Sequence, residues 1–182
     1  MTRGFTLPAH RLPYLPRPLD AFNTAAAEEA HALLLRCLRS PRWSRRLADH
    51  RPYPDLDALL AAADEAAYDL SPGDLAEALA GESLPELPED TYSAAHMALS
   101  AAQAAYEARF GHAFVIYLGD VPPEEALDRI LEAIRSRLTN DPEEERVTAA
   151  EELRRLARGR LDQFLGAAGS CATSANAPLS GK

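Results

Sequence analysis

Tyr106-Glu107-Ala108-Arg109-Phe110-Gly111-His112-Ala113-Phe114-Val115-Ile116 is the stretch whose reading decides the fold. Tyr106 and Phe110 stand four residues apart and share one face of a helix. Gly111 stops that helix, because glycine takes up a left-handed backbone without a Cβ clash. An apolar, β-branched run follows, Ala113 to Leu118. It is the one strand-like run in the chain, and a single such run cannot make a sheet. The rest must fold as helices.

Upstream, a stripe steps through Tyr92, His96, Leu99, Gln103, Tyr106 and Phe110 at intervals of four and three. This predicts a helix over Tyr92 to Phe110 with two polar side chains, His96 and Gln103, on its apolar face. Such residues either find hydrogen bonds at the core's edge or line a pocket. A histidine there would titrate near neutral pH.

Downstream, Pro122 and Pro123 introduce a helix with Leu127, Ile130, Leu131, Ile134 and Leu138 in helical spacing, and Asn140-Asp141-Pro142 breaks it. A last long helix runs to about Leu165, with Leu153, Ala157, Arg160 and Phe164 on one face and Arg154, Arg155 and Arg158 projecting elsewhere. A guanidinium against an apolar stripe requires an anionic partner, since an unpaired buried charge is costly. For Arg160 that partner is a protein carboxylate or the carboxylate of a ligand held in its fork.

The N-terminal half reads the same way. Asn23 or Thr24 can cap a first helix, Ala25 to Arg39; Ser40-Pro41 opens a second; Asp55 precedes a third, carrying Leu59, Leu60 and Ala63; Ser71-Pro72 opens a fourth, ended by Gly81. Glu82 to Asp90 is an acidic, Pro-punctuated loop. The expected fold is all-α, a single-domain helical bundle with one short extended segment. A Pro-rich extended leader occupies 1–19, the helical domain 20–165 and a disordered tail 166–182.

At 182 residues and 47% hydrophobic, the chain can bury one substantial core. A net charge of −9 argues against nucleic-acid binding, which needs clustered basic residues. No run is long enough to span a membrane and no signal-peptide core is present, so a cytoplasmic protein is expected. Cys37 and Cys171 are the only cysteines and suggest neither a disulfide framework nor a metal knuckle. Phosphate loops, zinc helices and nucleophile elbows are missing, so no cofactor and no metal are expected.

Several segments, in order, resemble one family. The opening stretch is similar to N-x-x-Y-x-x-R/K-F-G-x-x-F-I/V. Phe22-Asn23, Ser40-Pro41-Arg42-Trp43, Arg51-Pro52-Tyr53, Glu77-Ala78-Leu79-Ala80-Gly81, Arg137-Leu138-Thr139-Asn140-Asp141 and Arg160-Leu161 match its other signatures. The family is that of the OHCU (2-oxo-4-hydroxy-4-carboxy-5-ureidoimidazoline) decarboxylases of urate breakdown, and the likeness covers most of Leu19 to Leu165. It implies a helical bundle, often dimeric, that decarboxylates without a cofactor. A His in H-P-x-x-G, a Glu in S-x-x-E-Q and a late Arg surround a substrate bearing a carboxylate.

Residue by residue, the resemblance gives Arg160 the late Arg role, sets Gln103 where the family has Asn, and has the backbone of Phe114 to Ile116 face the ligand. It departs from the family at the catalytic His. Aligning Gly81 puts Glu82-Ser83-Leu84-Pro85-Glu86 over H-P-x-x-G, so Glu82 stands for the His. The chain from there to Tyr106 is short. With the gap after the Glu motif, Ser93 to Met97 overlays S-x-x-E-Q and His96 replaces the Glu. With the gap removing that motif, which the unbroken stripe favours, His96 is an ordinary residue of the next helix. An exposed Glu82 would titrate too low for general acid or base work, so its catalysis requires burial.

Three functions follow. The first is a diverged, cofactor-free enzyme of specialised metabolism that decarboxylates a small carboxylate-bearing substrate or performs a related lyase, cyclisation or isomerisation step; its catalytic residues are Glu82, His96 and Arg160, and its substrate-binding residues Gln103, Phe114 and Ile116. The second is an ordinary OHCU decarboxylase. The third is a non-catalytic ligand- or partner-binding protein on the same scaffold.

Overall fold

The structure, a computed structural model, describes residues 18–84, 93–119 and 121–166. Among these residues it is all-α, with eight helices. They are α1 (Pro18–Thr24), α2 (Ala27–Cys37), α3 (Pro41–Asp49), α4 (Leu56–Tyr68), α5 (Pro72–Ala80), α6 (Ser93–Phe110), α7 (Pro123–Arg137) and α8 (Pro142–Gly166). None is long and apolar enough to cross a membrane. The leader and tail expected at the two ends lie largely outside the described residues, as do Tyr92, Cys171 and the acidic loop beyond Leu84.

Most helix starts follow the caps that the sequence offers. Ser40 accepts from the backbone N–H of Trp43, and Asp55 from that of Ala58. Ser71 and Asp74 form a reciprocal capping box, which satisfies two donors that a helix start leaves orphaned. Asp141 Oδ1 accepts from the N–H groups of Glu143 and Glu144 and starts α8. Gly111 adopts φ +75° and ends α6 as its position predicts.

The first helix differs from its expectation. Asn23 and Thr24 do not cap it; they end a separate α1, and Ala26 precedes α2 without a side-chain cap. Asn23 is used elsewhere, its amide donating to the Tyr53 carbonyl (2.8 Å) and its Oδ1 accepting from the Tyr53 N–H (2.9 Å). Arg51 donates to the carbonyls of Phe22, Ala25 and Ala48. The Phe22-Asn23 and Arg51-Pro52-Tyr53 signatures therefore form one clamp, with a cis bond at Pro52. Trp43, fully buried, donates its indole N–H to the Ala63 carbonyl and ties α3 to α4.

Two hydrophobic bodies result. The larger gathers α1 to α5 around α8, whose Ala149, Leu153, Ala157, Leu161 and Leu165 are buried in steps of four. The smaller is built by Leu99 and Tyr106 of α6 with Ile130 and Ile134 of α7. The extended segment runs between them. Val115 points into the larger body and its neighbours Phe114 and Ile116 into the smaller, as period-two alternation requires.

Candidate active site

Arg160 lies beside the buried stripe of α8, one residue before Leu161, which leaves its side chain 31% exposed. Glu82 follows Gly81 at the end of α5, and its side chain is only 4% exposed. The two meet as a planar fork. Nη1 donates to Oε1 and Nη2 to Oε2, both at 2.8 Å. Nη1 also donates to the Cys37 carbonyl at the end of α2 (2.9 Å). The bond to Glu82 raises the Arg160 pKa, against burial that lowers it. Burial pushes the nearby Cys37 thiol up to about 11, although Arg160 and Arg36 pull the other way.

Arg160 opens onto a cavity of about 860 Å³ between α2, α5 and α8. Arg36, Arg39, Glu77, Gln163 and Phe164 line it as well. The Arg36 guanidinium sits 4.8 Å from the centre of the Phe164 ring, a cation–π contact. Arg39 lies across Gly81, where a Cβ would come within 2.3 Å of the Arg39 Cδ. Gly81 has right-handed helical φ and ψ (−87°, −9°), so space rather than backbone conformation calls for glycine. Neither Arg36 nor Arg39 has a carboxylate partner among the described residues.

The other expected site residues stand elsewhere. His96 is exposed near the start of α6, and no hydrogen bond among the described residues joins it to Glu82 or Arg160. Among the described residues the stripe is buried at Leu99 and Tyr106, and Met97 beside His96 is 67% exposed. Gln103 is half-buried on α6. Phe114 and Ile116 bury their side chains in the smaller body, and none of these four residues lines the arginine-bearing cavity.

A second polar cluster went unread in the sequence. Glu145, on α8, is fully buried and takes Nε of Arg137 at 2.9 Å. The Tyr106 hydroxyl donates to the same carboxylate, and Asn140 Nδ2 donates to its other oxygen (2.9 Å). Arg137 Nη1 donates to the Val115 carbonyl (2.7 Å), and its guanidinium stacks over Phe114. Burial, then the bond to Glu145, raises the Tyr106 pKa. The R-L-x-N-D signature thus supplies two donors to one buried carboxylate and joins both bodies. A signal for it existed: Glu145 falls one four-residue step before Ala149 on the core stripe.

Comparison with known proteins now bears on this geometry. The family profile described as OHCU decarboxylase matches residues 23–98 and 86–162, together well over half of the chain. The chain belongs to the OHCU decarboxylase family. The two matches overlap at 86–98, between Gly81 and Tyr106. A crystal structure of OHCU decarboxylase in the presence of (S)-allantoin superposes with TM-score 0.65 at 18% identity, covering 78% of this chain and 99% of that one. A crystal structure of (S)-allantoin synthase gives the same score and identity, with 81% of this chain covered. This chain spans about half of the synthase, 54% of its length. At such identity these likenesses establish the fold. No curated protein matches the sequence.

Proposed function

We propose that this chain is a cofactor-free acid/base enzyme that decarboxylates, or otherwise rearranges, a small substrate bearing a carboxylate at the Arg160–Glu82 site. The carrying observation is that these two residues, 78 positions apart, close into one bidentate pair whose arginine lines an open cavity. Both positions are those to which the family resemblance assigns chemistry. Arg160 is the family's late arginine, and Glu82 stands where the family has its histidine.

In this reading the substrate carboxylate takes the Arg160 fork as Glu82 swings away. Glu82, buried and released from its cation, then needs a proton, because an unpaired buried charge is costly. It takes up that proton from water. As the carbon–carboxylate bond breaks, CO₂ leaves, the electron pair stays on carbon, and Glu82 delivers the proton there. His96 as a second proton carrier, Gln103 as an orienting group and the backbone of Phe114 and Ile116 enter through the resemblance alone. So do a homodimer, readable by light scattering, and a cytoplasmic setting.

Turnover of freshly generated OHCU, followed by NMR, tests this against buffer and an Arg160→Ala variant. Accelerated (S)-allantoin formation that disappears in the variant supports the family reaction, with Glu82 in the histidine's place. No acceleration by folded protein moves the search to other carboxylate substrates. One observation favours a second reading, a non-catalytic protein: the Arg160 fork is already filled by Glu82 and the Cys37 carbonyl. In that case no small carboxylate displaces Glu82, and titration calorimetry with acetate shows no binding.

A further inference from the structure

We infer that the site prefers a dianion to a monoanion, the carboxylate going to Arg160 and a second anionic group, a carboxylate or a phosphate, being held by Arg36 and Arg39. The inference rests on the proposed Arg160 site and adds the substrate's charge to it. Three guanidinium groups line one cavity in a chain whose net charge is −9, and Glu77 is the one carboxylate on the described lining. Many arginines of this chain find acids elsewhere. Arg46 meets Asp69, Arg154 meets Asp64 and Glu151, and Arg158 meets Asp64. Arg36 and Arg39, like Arg45, Arg51, Arg109 and Arg135, meet no carboxylate among the described residues, and they alone of these share a cavity with Arg160.

Their stems are nevertheless positioned. Phe164 supports the plane of Arg36, and the missing side chain of Gly81 makes room for Arg39. A planar guanidinium fixed by apolar contacts keeps its donors free for a carboxylate or phosphate. Once the substrate carboxylate has replaced Glu82 on Arg160, Glu77 is the one carboxylate on the described lining beside Arg36 and Arg39, so a second anionic group gains there over a monoanion.

Calorimetry of the full chain with acetate, succinate and 2-phosphoglycolate, at equal low ionic strength, tests this. The wild type should bind the two dianions about tenfold or more tightly than acetate, the effect of one added charge-assisted pair. The Arg36→Ala/Arg39→Ala double variant should lose that preference and keep its affinity for acetate. Gly81→Ala, whose new methyl displaces the flexible Arg39, should lose part of it. Arg160→Ala should weaken all three ligands. Better binding of succinate marks a second carboxylate, and better binding of 2-phosphoglycolate marks a phosphate. Equal affinities across the series, or a preference that survives in the folded double variant, overturns the dianion and leaves the Arg160 site standing. If no probe binds, both fail.

Discussion

Two arginine–glutamate pairs hold this molecule's polar interior, and they differ in what surrounds them. Arg137–Glu145 is closed: the side chains are 9% and 0% exposed, and protein groups take both carboxylate oxygens. Arg160–Glu82 is open: its carboxylate is nearly as buried, but its arginine faces a cavity with two further cations that meet no carboxylate among the described residues. The chemistry of the pairs is the same. A closed pair has no donor left for a ligand, whereas an open one can exchange its carboxylate for another.

The largest test of this contrast is stability. Glu145→Ala strands a buried guanidinium and should cost about 3–5 kcal/mol in urea denaturation, well above the cost of Glu82→Ala, whose arginine turns to solvent. Equal losses would erase the distinction. Turnover comes next. Glu82→Gln keeps the shape of the open pair but cannot carry the proton, so the rate on an accepted substrate should fall about a hundredfold or more with fold retained. A fully active variant removes Glu82 from the chemistry.

Tyr106→Phe should cost the closed pair about 1–3 kcal/mol by taking away a donor to buried Glu145, and should leave ligand affinity at Arg160 unchanged. The open region has its own pH signature. Cys37 has its pKa raised from 9.0 to about 11, so its contribution is full below pH 9 and is lost as pH rises toward 11. Denaturation midpoints should drop across that window, by on the order of 2 kcal/mol, and Cys37→Ala should abolish the drop. Tyr106 adds a loss only above its ordinary value of 10.0, so the first alkaline change belongs to the open side. The smallest effect is expected from His96→Ala. It should leave the denaturation midpoint unmoved, and an unchanged rate would assign the proton work to Glu82, while a tenfold loss would bring His96 into the site.

Much of the fold was legible because local chemistry dictates it. Gly111, the Ser40, Ser71 and Asp55 caps and the Asn140-Asp141-Pro142 break act within a turn of themselves, so sequence spacing suffices. The caps at Asn23 and Thr24 misled because a distant partner, the Tyr53 backbone, claims Asn23. The α6 stripe misled at His96 because periodicity names a helix face without saying how far along it the neighbouring helix reaches.

The sequence by itself determined the helical class, most helix ends and the family, all of which rest on short-range patterns or their order. It also marked Glu82 and Arg160 one at a time. Only the tertiary structure decided that they touch, that Arg36 and Arg39 share their cavity, and that Arg137 and Glu145 do not belong to it. Those facts depend on which faces of α2, α5 and α8 converge. A charge's environment is set by what packs around it in space, and groups up to 123 residues apart in the chain supply it here.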